Sequence, residues 1–100
     1  MQYGSDELKE DALLEIADVY KNENNPTMQD QILQEFISKY PDSEQMDLVL
    51  YEAGECRFEL KEGNQAVETL TSMLVKFPRS IYAEKARDLI RKIRKTLNNA

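Results

Sequence analysis

An internal repeat constrains this sequence more than any other feature. The pentapeptide KYPDS, which ends at Ser43, returns 37 residues later as KFPRS, which ends at Ser80. At the same offset residues 13–43 align with residues 50–80 without a gap, and six of the 31 aligned positions are identical. Other aligned positions pair apolar residues of like size, such as Phe36 with Met73 and Ile37 with Leu74, so the sequence consists of two copies of one packing unit.

Each copy has the apolar spacing of two helices. We expect the apolar stripe of the first helix to face the core, and its members are Leu8, Ala12, Leu13, Ile16, Ala17, Val19 and Tyr20. Asn25 and Pro26 supply a cap and a favourable first residue for the second helix. In the second copy, Gly63 is predicted to end one helix in the left-handed conformation, and Asn64 to cap the next. A fifth helix is predicted after Ser80.

The two pentapeptides are predicted to be the turns between units. Tyr40 or Phe77 closes the second helix of its unit against the core, and the proline that follows disfavours helix in the residue before it. Ser43 or Ser80 can then cap the next helix. We therefore expect one all-α domain, residues 1–100, that contains repeat 1 at about 8–41, repeat 2 at about 45–78 and a capping helix at about 81–97.

Composition narrows the class of function. One hundred residues, of which 41% are apolar and 32% charged, suit a single folded domain. The chain has no His, no Gly-rich phosphate loop and no Cys cluster, so we expect no enzyme, no cofactor and no metal site. Its apolar runs are far shorter than the roughly 20 residues that cross a bilayer, so we expect no direct membrane insertion. Cys56 is expected to be a small buried residue.

Charge is distributed unevenly along the chain. Residues 1–62 hold 16 acidic and 5 basic residues, whereas residues 63–100 hold 3 acidic and 8 basic ones. We expect no nucleic-acid binding, because phosphate would repel the acidic part. The basic run RKIRK, Arg91 to Lys95, has two interpretations. It either clamps an acidic peptide or a carboxylate terminus, or it is a solvated face that complements the negative end of the helix dipole.

The two units resemble tetratricopeptide repeats (TPRs), helical hairpins with a small residue within the first helix, Ala early in the second and Pro at the exit. The residues that this resemblance assigns to repeat packing are Leu13, Ala17, Leu50, Gly54, Ala66, Pro41 and Pro78. Gln29 departs from the pattern, since it stands where alanine is expected. The [YF]-P-x-S exit is similar to a sub-group of bacterial cell-envelope TPR proteins, which includes the C-terminal domain of the Tol-Pal coordinator and the barrel-assembly lipoprotein. The resemblance implies a right-handed superhelical array.

The resemblance also implies a function and a place for it. In TPR arrays the first helices line a concave groove that binds a peptide or helix of a protein partner. The groove-facing positions in this sequence are Leu14, Asp18, Lys21, Tyr51, Glu55, Phe58, Asp88, Lys92 and Lys95. Tyr51 and Phe58 are either aromatic anchors for the partner or residues that fill space against Leu14 or the last helix. The expected function is therefore a scaffold for protein–protein interaction.

The number of repeats leaves an alternative function open, which is self-assembly. About three repeats are usually needed for a stable array, and this sequence has two and a half. Either the chain is a fragment of a longer array, or a second copy covers one end. The acidic N-terminal part and the basic C-terminal part favour a head-to-tail homo-oligomer, whereas a symmetric dimer is the commoner form. The compartment is cytoplasmic if Met1 is the natural start, and periplasmic or envelope-associated if the chain is a fragment.

Overall fold

The computed structural model describes residues 5–99, and their side chains from Leu8 onward. The described chain is all helical, as predicted, and no helix in it is long and apolar enough to span a membrane. It folds into five helices: α1 (Ser5–Asn22), α2 (Pro26–Lys39), α3 (Met46–Glu59), α4 (Gly63–Lys76) and α5 (Ala83–Asn98).

The helices pack mainly in chain order. α1 packs on α2, α2 on α3, α3 on α4 and α4 on α5, and a smaller contact joins α3 to α5. The result is an elongated array of two hairpins and a last helix, with extents of 52 × 30 × 19 Å. This arrangement of packed helical hairpins is that of a TPR-like array.

The start of α2 follows from its sequence. Pro26 is the first residue of the helix, where its missing N–H costs nothing, and the side chain of Asn25 accepts a hydrogen bond from the backbone N–H of Met28 at 3.1 Å. The Asn25–Pro26 prediction is therefore confirmed.

The first inter-repeat turn, residues 40–45, lies between α2 and α3. The hydroxyl of Ser43 accepts a hydrogen bond from Gln45 N at 3.1 Å and donates one to the carboxylate of Glu10 at 2.5 Å. Glu10 lies on α1, so this bond closes the open end of the first hairpin. Ser43 was expected to cap α3 itself. It instead binds the turn that precedes α3, because that turn adds two residues before the helix begins at Met46.

The second inter-repeat turn, residues 77–82, repeats this arrangement. The hydroxyl of Ser80 accepts from Tyr82 N at 3.0 Å and donates to the carboxylate of Asp47 at 2.6 Å. Asp47 is the residue of α3 that aligns with Glu10 of α1, since the repeat offset is 37 residues. The same serine–carboxylate bond therefore closes both hairpins, and the sequence analysis did not identify its acidic partner.

Gly63 does not end a helix, contrary to the prediction. Lys61 takes the left-handed conformation, with φ 66°, and Gly63 is buried as the first residue of α4. A Cβ at position 63 would lie 3.0 Å from the side chain of Leu97 and 3.3 Å from that of Ile93 on α5. Close approach of α5, rather than backbone conformation, favours glycine there. Asn64 lies inside α4 and is not its cap.

The residues assigned to repeat packing separate into two groups. Ala17, Leu50, Gly54 and Ala66 are buried, and Leu13 packs at the edge of the same core. Pro41 and Pro78 are exposed in the inter-repeat turns. The prolines therefore act on the backbone of the turns, since they contribute little to the core.

The apolar residues of α1 do not form one buried stripe, contrary to the prediction. Ala17 is buried and Leu13 is half-buried, but Leu8, Ile16 and Val19 are 58%, 42% and 54% exposed. Residues 8, 12, 16 and 19 lie on one side of the helix, away from α2. We call the surface formed by Leu8, Ala12, Ile16 and Val19 the outer face of α1.

Candidate functional site

The predicted groove residues lie on the three helices that begin each unit, α1, α3 and α5. We call the surface that these residues form the groove face. The members that are half-buried are Leu14, Tyr51, Glu55 and Phe58. The members that are exposed are Asp18, Lys21, Asp88, Lys92 and Lys95.

Two contacts on the groove face join α3 to α5 and to Tyr82, the residue that precedes it. The ring of Tyr51 stacks on that of Tyr82, with centroids 6.1 Å apart and planes inclined by 17°. The ammonium group of Lys92 lies 5.9 Å from the centroid of the Phe58 ring, within the range of a cation–π interaction. Phe58 therefore contacts the last helix and Tyr51 contacts the residue before it, and both keep part of their surface accessible.

An apolar pocket of about 300 Å³ opens beside Phe58. It lies where the end of α3, the α3–α4 loop and the end of α5 meet. Its lining residues are Phe58, Glu59, Lys61, Gly63, Thr96 and Leu97. Because Leu97 is 39% exposed, an apolar wall is open to solvent at this point.

A larger polar cleft of about 580 Å³ lies beside the last turns of α3. The α1–α2 loop, the start of α2 and the last turns of α3 form its walls. Its lining residues are Lys21, Asn22, Asn24, Asn25, Pro26, Gln29, Glu55, Cys56 and Glu59. Two predicted groove residues, Lys21 and Glu55, are thus brought together here. Glu59 lines both the cleft and the apolar pocket, so the two cavities are adjacent.

Acidic residues of α3 control the charge of the cleft. Lys21 forms an ion pair with Glu52, with Nζ and Oε2 3.3 Å apart. Burial disfavours the charge on Lys21, but the neighbouring Glu52, Glu55 and Asp18 outweigh it and raise the pKa of Lys21. Burial, aided by the negative charge of Glu52, raises the pKa of Glu55. Glu55 therefore lies in a site where its negative charge is not fully compensated.

Tyr51 and Cys56 are not activated groups. Burial and the neighbouring Glu55 raise the pKa of Tyr51. Burial, together with the negative charge of Asp30, raises the pKa of Cys56 to about 12. Since Cys56 is only 1% exposed and stays protonated at neutral pH, it behaves as the small buried residue that was expected.

The basic run of α5 is divided between two sides of the helix. Lys92 contacts the groove face, whereas Arg91 and Arg94 line a shallow pocket against α4. Asp88 pairs with Arg91 on its own helix, with Oδ1 and Nη1 2.5 Å apart. Among residues 8–99 the structure shows no hydrogen bond or salt bridge from Asp88 or Lys95 to α3, so their place on the groove stays a prediction.

Sequence reasoning missed several residues of the site. Glu52 and Glu59 of α3 and Tyr82 before α5 gave no distinctive signal, because charged and aromatic residues are common at helix surfaces. Gln29 did give one, since it replaces the alanine of the TPR pattern. It is 5% exposed and lines the polar cleft.

Comparison with protein families gives a match to the family described as YfiO, outer membrane lipoprotein, and the match covers residues 1–100. Comparison with curated proteins gives no match.

Proposed function

Because the chain belongs to the YfiO family of outer membrane lipoproteins, which contain TPRs and take part in protein interactions, we propose that it is an adaptor whose groove face binds a segment of a protein partner. The apolar pocket beside Phe58 is the observation that supports this proposal most directly. An aromatic ring that is half-buried on one side and lines a pocket on the other is a typical binding anchor.

The positions of Tyr51 and Phe58 explain how a binding surface can coexist with a stable core. Each ring packs partly on the core; the other contact is with Tyr82 for Tyr51 and with Lys92 of α5 for Phe58. This packing holds the rings in place before a partner arrives, so less conformational entropy is lost on binding. The two interpretations of these residues, packing and recognition, are therefore compatible.

Thr96→Arg tests this proposal, because Thr96 is exposed and lines the apolar pocket. Peptides selected from a displayed random library on the wild-type chain are expected to bind Thr96→Arg at least tenfold more weakly, since the long side chain fills the pocket. Thr71→Arg is the matched control: it adds the same charge at an exposed position on α4, away from the groove face. If no peptide is selected, or if both variants bind the selected peptides equally well, the proposal fails.

The outer face of α1 favours a second candidate function, self-assembly. Its apolar residues are exposed, and the acidic Asp11 and Glu15 lie beside them. The exposed side of α5 in a second copy is mostly basic, and its Lys and Arg side chains have apolar stems that can cover such a surface. Opposite charges would therefore favour a head-to-tail contact.

Light scattering at low and high salt tests the second candidate. The wild-type chain is expected to form oligomers that dissociate at high salt, and Ile16→Lys with Val19→Lys is expected to be monomeric. Both substitutions lie at exposed positions and leave the core intact. A wild-type chain that is monomeric at high concentration and low salt would exclude self-assembly.

A further inference from the structure

One side of α5 carries three exposed arginines at positions where the preceding repeat packs a helix. We propose that this side binds an acidic helix of a partner protein, which packs on α5 as α4 packs on α3. We call the surface formed by Arg87, Arg91 and Arg94 the arginine face. It is distinct from the groove face, where Lys92 contacts Phe58, so the inference goes beyond the adaptor role of the groove face and does not rest on it.

Helix α5 follows the repeat closely enough to be compared with α3 residue by residue. At the offset of 37 residues, Ala83 aligns with Met46, and each is the first residue of its helix. The buried residues of α5 also align with buried residues of α3. The aligned pairs are Ala83 with Met46, Ala86 with Val49, Ile90 with Ala53 and Ile93 with Cys56. α5 therefore packs on α4 as α3 packs on α2.

Another side of α3 supports the helix that follows it. A Cβ at Gly54 would lie 2.6 Å from Leu70 Cγ, so α4 approaches α3 closely there. One turn further along, Nη1 of Arg57 donates a hydrogen bond to Oε1 of Gln65 on α4, with the two atoms 3.3 Å apart. Leu50, one turn before Gly54, is buried on the same side. Positions 50, 54 and 57 of α3 thus mark the side on which a second helix packs.

The positions of α5 that align with this side of α3 are the three arginines of the arginine face. Together with Ile90 of α5 and Thr71 and Leu74 of α4, they line a pocket of about 290 Å³. The pocket has an apolar floor, since Ile90 is buried and Leu74 is half-buried. Because the repeat geometry places a helix on the aligned side of α3, the occupant that fits this surface is a helix with one apolar side.

The charge of the arginine face selects an acidic helix. Arg91 pairs with Asp88 of its own helix, but both side chains are largely exposed, so solvent weakens this pair. Arg87 and Arg94 form no ion pair within the described part of the chain. Carboxylates of an incoming helix can therefore pair with these guanidinium groups.

The comparison with α3 also gives the positions of the acidic residues on the incoming helix. The residue of α3 that aligns with Arg94 donates to Gln65, so a carboxylate in the place of Gln65 would accept a charge-assisted hydrogen bond from Arg94. Arg91 stands where α3 has Gly54, so it leaves no room for an apolar side chain in the place of Leu70. A carboxylate in that place would instead bind Arg91.

α5 does not turn back where α3 does. α3 ends at Glu59, and Lys61 in the left-handed conformation, with φ 66°, leads the chain into α4. The residue that aligns with Lys61 is Asn98, which still lies in α5. The tight turn that brings α4 onto α3 is therefore not repeated at this position, and we place the occupant of the arginine face in another chain.

A helical peptide with the sequence of α4 tests the inference when Gln65→Glu and Leu70→Glu make it acidic at the two positions derived above. A hydrocarbon staple between the places of Asn64 and Glu68, which are exposed in α4, keeps the peptide helical. We expect calorimetry to show saturable binding that weakens as salt is added. A basic peptide, with Gln65→Lys and Leu70→Lys, should not bind.

Charge reversal in the chain locates the binding. Arg91→Glu with Arg94→Glu should weaken binding of the acidic peptide at least tenfold and should allow the basic peptide to bind. Lys76→Glu with Lys85→Glu makes the same change of charge at exposed positions that do not line the pocket, and it should leave both results unchanged. Thr96→Arg, which tests the groove face, should also leave them unchanged, so the inference and the adaptor role can fail separately.

Absence of binding, equal binding of the acidic and basic peptides, or equal losses in the two double variants would overturn the inference. Light scattering distinguishes a partner helix from a second copy of the chain. If Arg91→Glu with Arg94→Glu dissociates oligomers of the chain while the acidic peptide does not bind, the arginine face belongs to a second copy, and the partner helix is refuted.

Discussion

Helices α1 and α3 occupy equivalent places in the two repeats, yet they have different surroundings. Val19 and Ile16 of α1 are exposed, whereas the residues that align with them in α3, Cys56 and Ala53, are buried. Among the described residues α3 packs on α2, α4 and α5, whereas α1 packs on α2 and reaches α3 through the Lys21–Glu52 ion pair. The helix that begins a repeat packs on its own hairpin partner through one face. Its opposite face is buried only where a preceding hairpin packs against it.

The inter-repeat turns show the opposite behaviour. Tyr40 and Phe77 end their helices with nearly the same backbone angles, φ −129° and ψ 58° against φ −132° and ψ 62°. Ser43 and Ser80 then form the same hydrogen bonds. Local sequence controls the turns, and neighbouring helices control which faces are buried. The following predictions, in order of decreasing effect, test this difference.

Thiol reactivity should differ most between the two helices. Val19→Cys in a Cys56→Ala background should be alkylated about a thousandfold faster or more than Cys56 of the wild type. The thiol at position 19 is exposed, whereas Cys56 reacts only when the chain opens, and its pKa of about 12 keeps it protonated. The rates are measured with a thiol-specific reagent, and both thiols should react similarly in denaturant. Equal rates in the native state would show that α3 is no better covered than α1.

A larger side chain at Gly54 and a smaller one at Ala17 should both destabilise the chain, for different physical reasons. Gly54→Ala should lower the free energy of unfolding by about 1–2 kcal/mol, because the new Cβ would lie 2.6 Å from Leu70 Cγ. Ala17→Gly in α1 should cost about 1–2 kcal/mol, because glycine has a lower helix propensity and the buried methyl group of Ala17 is lost. Urea unfolding measures both. In a Leu70→Ala background Gly54→Ala should no longer destabilise, and a loss that persists there would refute the steric explanation.

Removal of the turn hydroxyls should have equal effects in the two repeats. Ser43→Ala and Ser80→Ala should each cost about 1 kcal/mol, since each removes a donor to a carboxylate and an acceptor for a backbone N–H. Ser38→Ala, at an exposed position on α2, is the control and should have little effect. Clearly unequal losses in urea unfolding would show that the turns are not equivalent.

The smallest effect concerns pH. The pKa of Glu55 is higher in the folded chain than in the unfolded chain. At a pH between these two pKa values the unfolded chain binds fewer protons, so the stability of the fold falls as pH rises through that range. Glu55→Gln should therefore raise the melting temperature at pH 7, and the gain should disappear below about pH 4, where the carboxyl is protonated in both states. Asp18→Asn, the aligned change at an exposed position of α1, should have no such effect. A gain that is independent of pH would contradict the assignment.

Sequence reasoning succeeded where a residue acts on its own backbone. It failed where contacts with other helices determine the conformation or burial of a residue. The cap at Asn25 and the two turns were predicted because their effects extend over only a few residues. Gly63 was misassigned, since a glycine in a sequence indicates either a left-handed residue or a close contact, and only the position of α5 distinguishes the two. The single stripe on α1 was wrong because periodicity does not show which apolar residues have a neighbour.

The sequence by itself determined the repeat, the start of α2, the positions of the two inter-repeat turns and the all-helical array. Tertiary structure alone decided that Lys92 lies over Phe58, that the outer face of α1 is exposed, and that Gln29 reaches a cleft beside Glu55. The physical reason is the range of the forces involved. Turn chemistry and helix capping act between adjacent residues, whereas these contacts join side chains that are distant in sequence and meet only after the helices have packed.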